Sequence, residues 1–480
     1  MIQRIIFTGL ILCTSVIAGQ PQSVKATRKW VKNNGHTIIK DFAHLLSMPN
    51  VASDKLNIRR NAKYISNLFK KRGFDMQLLE TEDANPIIYG EYKTPGAKRT
   101  LCFYVHYDGQ PVDSNQWTHG PFEPVLYDAA MDGGGNPIPL PGKRTKIDPE
   151  WRLYSRSAGD DKAPIITILN AVDGLQSSKI GFTSNIKLFF EGEEEAGSTN
   201  LQAHITKHKA LLDDIDIWLF CDGPMHQSRQ PQLVFGVRGV TGMEITVYGA
   251  TRSLHSGHYG NWAPVPGQSL AHLIATMKDD NGKVLIDGFY DTVVPLSEFE
   301  RFELSKIPDV DRQLKKELGL AYTEGNGRSI NERMLLPSLT IKGLSSGNVG
   351  KKARNVIPNT ATAAIGVRLV KGNEPNDMLD KVEAHIRKQG FHIVYENPDM
   401  ATRRKYPKIA KVDRRGSGYI ASRTSMEEPN AKAIINAVRE FVGDKLILMP
   451  ALGGSLPLYL FTDLLKKPAI IVPIANHDNN

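Results

Sequence analysis

The sequence predicts an α/β fold: a mixed-sheet domain interrupted by an inserted α+β unit. Apolar runs such as LCFYV, KLFF and IWLFC read as strands buried on both faces. Segments of helical periodicity stand between them. Near Phe235 the style changes to alternating strands, and the first style resumes only near the C-terminal end. With 480 residues the chain is long for one domain. The expected division is residues 1–22 as a signal peptide, 23–235 as the first part of the main domain, 236–412 as the insertion and 413–480 as the second part.

The elements follow in order. Arg4 precedes an apolar stretch over residues 5–19, too short for a stop-transfer span, and Val16-Ile17-Ala18 is an acceptable cleavage site. Cys13 does not suit lipoprotein processing, because Leu12 before it is too large. The expectation is an exported protein, periplasmic or secreted, with no membrane association after cleavage. Residues 23–72 read as helical, with Ala62, Ile65, Leu68 and Phe69 at helical spacing before Gly73. Strands and loops follow to Asp161, then a helix over 163–175 and strands over 186–190 and 215–221. In the insertion, alternation over 243–247 predicts a half-exposed strand. Helices are expected at 267–277 and 376–389, and strands at 338–341, 361–369 and 392–395. Residues 406–428 read as a return linker, followed by a helix over 429–441 and a strand over 469–473. No internal repeat or low-complexity tract is present.

The formal charge is +9 and the isoelectric point about 9.2. The basic residues are scattered and flank no recognition motif, so nucleic acid is not an expected partner. Cys102 and Cys221 lie inside apolar runs and are expected to be packed thiols.

Metal-binding and acid/base residues end several of these runs. In an open α/β sheet, ligands bind beyond the carboxyl ends of the strands. His106 and Asp108 follow LCFYV two residues apart; a carboxylate so placed can fix a ligating imidazole. Asp160 and Asp161 precede a helix, where they could cap it or bridge cations. Glu193, Glu194 and Glu195 come straight off the strand IKLFF, a costly place for carboxylates without cations or protons to compensate. One could bind metal while its neighbour acts as general base. Asp222 ends WLFCDG, and the last apolar strand continues into IANHDNN. An oxygen and nitrogen donor set suits zinc, with manganese or cobalt as substitutes. So many carboxylates favour two ions, roughly 3.5–4 Å apart.

Taken together, these motifs resemble the dizinc metallopeptidase family of carnosinase-like dipeptidases, glutamate-releasing carboxypeptidases, acetylornithine deacetylase and succinyl-diaminopimelate desuccinylase. HYDGQPVD, Trp117 and PFEP look most like the dipeptidase branch. The resemblance implies a mixed-sheet metallopeptidase catalytic domain with an inserted α+β lid/dimerisation domain. It implies His106, Asp160 and Asp222 on one Zn2+, with Asp160 bridging to a second Zn2+ also held by Glu195. Asp108 would orient His106, and Glu194 would be the general base. ATRSLHSGHYG looks like the lid motif, so His255 would reach the partner subunit's site in a homodimer. Asn355 and Arg368 look like lid residues that hold substrate, Arg368 through its carboxylate. Gly453, Gly454 and Ser455 resemble the loop that cradles its C-terminal end. The activity implied is dipeptide hydrolysis through a metal-bound hydroxide. An N-acyl-amino-acid deacylase remains an alternative, as does a metal-poor binding protein. The family closes its site with a His in a segment like AHxxNE, which would fall beyond Asn480. His477 comes too early for it, so the sequence is expected to be truncated.

Overall fold

A computed structural model describes residues 21–475 apart from Arg415 and Ser417. Most of the expected signal segment, and His477, lie outside the described residues.

The stretch read as helical holds two helices, α1 (Gln22–Leu46) and α2 (Lys55–Lys70). Pro49 biases Met48 away from helical backbone, and Asp54 caps α2 by accepting from Asn57 N at 3.1 Å. The gap is anchored from below. Lys162 Nζ donates to the Leu45 and Met48 carbonyls at 3.0 and 2.9 Å. Asn50, fully buried, donates to the Tyr107 carbonyl at 2.8 Å.

The chain then forms β1 (Asp75–Leu79), β2 (Ile87–Tyr92), β3 (Thr100–His106), α3 (Lys162–Ser177), β4 (Asn185–Glu191), β5 (Ile217–Phe220) and β6 (Gln232–Val234). The insertion contributes β7 (Gly239–Tyr248), β8 (Leu254–His255), α4 (Pro266–Ala275), α5 (Asp311–Glu317), β9 (Ser338–Ser345), β10 (Val356–Ile357), β11 (Thr360–Leu369), α6 (Pro375–Lys388), β12 (His392–Val394) and β13 (Ile409–Arg414). The chain returns through α7 (Pro429–Val442), β14 (Ile447–Met449) and β15 (Ala469–Ile471).

The first sheet has the order β1-β2-β4-β3-β5-β15-β6-β14. Its centre, β4-β3-β5-β15, is parallel, while β1 and β2 pair antiparallel. Both faces are covered, which is why these strands read as continuous apolar runs. Tyr104, Phe189, Trp218 and Phe220 pack around Phe461 on one face. Val105, Leu188 and Phe190 pack against α2 and α3 on the other. Cys102 and Cys221 are buried free thiols.

The second sheet runs β9-β11-β7-β13-β12. Along β11, Ala361, Ala363, Ile365, Val367 and Leu369 are buried against α4 and α6, and the alternate residues face outward. β13 lies within the segment expected to be a linker and pairs with β7 from Val247↔Ala410 to Met243↔Arg414. Lys411, Asp413 and Arg414 hide its alternation.

The chain leaves the first sheet at Gly236–Val237 and returns beside it at Ser422–Arg423, antiparallel. Glycine is needed here. A Cβ on Gly236 would lie 2.2 Å from the Ser422 carbonyl oxygen, and one on Gly239 2.4 Å from that of Tyr419.

Candidate metal and catalytic centre

Parallel neighbours deliver their carboxyl ends to one edge of the sheet. His106 closes β3 and stands in register with Glu191, the last residue of β4. The turn Glu194–Ala196 follows β4. Asp222 lies two residues beyond β5, and Asp160 just before α3. The ligand atoms of His106, Asp160 and Asp222 lie within 4.8 Å of one another.

His106 Nδ1 lies 3.1 Å from the Asp108 carbonyl and 3.5 Å from its carboxylate. With the proton on Nδ1, the Nε2 lone pair faces Asp160 Oδ1 at 2.8 Å. Two acceptors at that distance need a proton or a cation to join them. Asp108, fully buried, also accepts from the backbone N–H groups of Glu194 and Glu195 at 3.1 and 3.0 Å. One carboxylate therefore fixes both the imidazole and the glutamate turn.

The two members of the Asp pair diverge. Asp160 faces the cluster, while Asp161 accepts from the His106 backbone N–H at 3.2 Å and is fully buried, its Oδ1 without a partner. The glutamate turn also divides. Glu193 is structural, accepting from Asn85 N at 2.7 Å and Asn200 Nδ2 at 2.8 Å. Glu194 feels the cluster: burial, and then the charges of His106 and its acidic neighbours, act on it. Glu195 sits outside the tight group of three, feels His106 and Asp160, and accepts from Gln110 Nε2 at 2.5 Å.

The electrostatics fit cations. Burial pushes Glu194 up to about 8 and raises Asp161, Asp222 and Glu195 above the usual carboxylate range. For His106, burial opposes the charged form, but hydrogen bonds to Asp108 and Asp160 prevail and raise it well above the ordinary histidine value. Buried carboxylates around one imidazole thus hold protons that divalent cations would replace, and the donor set suits such ions.

The lid residues fall into two groups. His255 is exposed on β8, opposite Val356 of β10, and the neighbouring Ser256 N donates to the Asn355 carbonyl at 3.0 Å. Among the described residues no hydrogen bond joins His255 or Asn355 to the group of His106, Asp160 and Asp222. Arg368 Nη1 donates to Ser455 Oγ at 2.6 Å, joining the lid sheet to the loop of Gly453, Gly454 and Ser455.

Four further residues were not apparent from sequence. Gln110 steadies Glu195. Glu191 is buried, accepts from Tyr104 Oη at 2.5 Å and is pushed by burial up to about 7; its place as the last residue of an apolar strand was the available signal. Tyr419, in the segment read as linker, is raised by burial and feels Ser455, Arg368 and Glu194. Arg238 donates its backbone N–H to the Gly454 carbonyl at 3.1 Å.

The family description "Peptidase dimerisation domain" matches residues 235–393. The Cys-Gly metallodipeptidase of Schizosaccharomyces pombe is 26% identical over 466 residues, covering 91% of this chain and 88% of that protein. The Beta-Ala-His dipeptidase of Homo sapiens is 25% identical, covering 96% and 85%. Among solved structures, an M20 family metallo-carboxypeptidase from Sulfolobus solfataricus superposes with a TM-score of 0.67 at 28% identity, covering 91% of this chain and 90% of its own.

Proposed function

We propose, from the premise that this chain is a dipeptidase-branch member of the M20 metallopeptidase family and hydrolyses peptide bonds, that it is a zinc-dependent exopeptidase acting on dipeptides with a free C-terminal carboxylate. The convergence of His106, Asp160 and Asp222 within 4.8 Å, with Glu194 beside them, carries this reading. His106, Asp160 and Asp222 would hold one divalent cation, and Asp160 with Glu195 a second. Bound there, the ions supply Lewis acidity toward the scissile carbonyl and toward water.

The chain's own residues do the rest. Glu194 takes the proton of the attacking water and returns it to the leaving amine. Its buried setting brings its proton affinity near neutrality, where a group can both accept and release a proton. Asp108 holds the Glu194 backbone and the His106 ring, so base and ligand keep a fixed separation. Arg368, steadied by Ser455, meets the substrate's carboxylate. His255, exposed on the lid, would reach a second subunit's site in a homodimer and stabilise the oxyanion there. We also read the chain as exported, on the basic residue and apolar stretch that open it.

A panel of dipeptides, their C-terminal amides and N-acetyl and N-succinyl amino acids tests the reading on the zinc-loaded protein. Turnover confined to free dipeptides supports it. Turnover confined to acyl-amino acids would replace it with a deacylase.

A further inference from the structure

A cavity of about 300 Å³ lies at the base of the lid, outside the metal cluster. Tyr290, Leu314, Leu318, Met334 and Leu336 line it, together with Arg238. At its mouth Leu318 is 66% exposed and Leu320 48%, beside the charged Asp311, Lys315, Glu324 and Arg328. That volume is at the lower end of the roughly 300–1,000 Å³ of ligand pockets, enough for a side chain.

Three lining residues connect the cavity to the carboxylate clamp. Ser338 lies directly opposite Arg368 in the antiparallel ladder, so both side chains stand on one face of the lid sheet. Arg238 donates through Nη2 to Ser338 Oγ at 3.0 Å and through its backbone to the Gly454 carbonyl at 3.1 Å. Met334 abuts Gly453, where a Cβ would lie 2.8 Å from its sulfur. The cavity therefore borders the Gly453, Gly454 and Ser455 loop on the side where Arg368 stands. Arg368 and Ser455 are hydrogen-bonded to each other at 2.6 Å, and the cavity wall reaches them through Ser338 and Arg238.

We propose that the cavity is the subsite for the side chain of the substrate's C-terminal residue, and that it selects large aliphatic or aromatic side chains. The inference rests on the carboxylate clamp proposed for Arg368. Arg238 is the buried polar wall of this subsite: its Nε is buried without a partner, and its other contacts hold Ser338 and Gly454 in place. Burial, and then the nearby Arg368 charge, lower its proton affinity.

The test uses the metal-loaded protein. We expect kcat/KM for Ala-Leu and Ala-Phe to exceed that for Ala-Gly by at least about tenfold, the scale at which apolar pockets discriminate. Leu314→Trp, which fills the cavity, and Leu318→Asp, which makes its rim polar, should each lower the Ala-Leu to Ala-Gly ratio about tenfold, mainly through KM. Calorimetry with free leucine and glycine reads the same subsite without turnover. Leucine should bind about tenfold more tightly, and Leu314→Trp should remove the difference. If no dipeptide is cleaved but leucine still binds preferentially, the proposed activity falls and the subsite stands. If dipeptides are cleaved with equal kcat/KM for Ala-Gly and Ala-Leu, or both variants keep the wild-type ratio, the subsite is overturned and the activity stands.

Discussion

Replacing Asp108 by Asn should separate the framework of the centre from its chemistry. The Asp108 carboxylate accepts from two backbone N–H groups, those of Glu194 and Glu195, and lies 3.5 Å from His106 Nδ1. Hydrogen bonds to a charged group contribute about 1.5–3 kcal/mol each. An amide offers one oxygen and one NH2 group, so one of the two N–H donors would face another donor in a fully buried position. The expected loss in stability of the loaded protein is about 2–4 kcal/mol. Loosening a group behind a metal ligand typically costs 10–100-fold in metal affinity, and the variant should fall in that range. Competition against a chelator at fixed pH reads the affinity, and thermal unfolding of the loaded protein reads the stability. Asp108→Asn with wild-type affinity and an unchanged melting temperature would refute the claim that this carboxylate holds both the imidazole and the glutamate turn.

Other predictions follow from the same geometry. In the unfolded chain the cluster's carboxyls titrate near 4, while burial raises Asp161 and Asp222 and places Glu194 at about 8 and Glu191 at about 7. Between about pH 4 and 8 the folded, chelated protein therefore binds more protons than the unfolded chain, and its stability should fall as pH rises through that window. Zinc binding should reverse the trend, because ligands bind deprotonated; chelated protein that is more stable at pH 7 than at pH 5 would contradict this. Amidating the C-terminus of a good dipeptide substrate should remove most turnover, and equal rates would remove Arg368 from carboxylate recognition. Mixing inactive His255→Ala chains with inactive Glu194→Gln chains should restore part of the activity. No recovery, with subunit exchange demonstrated, would mean that His255 does not act across a dimer.

The sheet edge was legible because two-sided burial leaves a plain trace. LCFYV, KLFF and IWLFC carry no polar residue except Lys187, and each is followed by residues that solvent alone could not justify. Less legible were elements whose environment is mixed. β13 carries Lys411, Asp413 and Arg414 along a half-exposed strand, so its pairing with β7 overrode a pattern that reads as loop. The break between α1 and α2 depends on Lys162, distant in sequence, which satisfies the carbonyls ending α1. The division of labour among Glu193, Glu194 and Glu195 could not be read from three identical neighbours. It is set by Asn85 and Asn200, which tie down Glu193, and by Asp108, which orients the other two through their backbone. The link from Arg238 to Ser338 and Gly454 arises only when the lid sheet and the C-terminal loop meet.

The reading of the centre requires adjacent glutamates with different duties, and one paired measurement tests it most directly. Zinc stoichiometry and dipeptide kcat should be determined for Glu194→Gln and Glu195→Gln beside the wild type. Glu194→Gln should keep its zinc and lose activity by at least the roughly 10²–10⁴-fold assigned to a general base. Glu195→Gln should lose zinc. Glu194→Gln that loses its zinc, or that retains both zinc and near wild-type kcat, would contradict the assignment of Glu194 as the base beside a metal centre built on His106, Asp160 and Asp222.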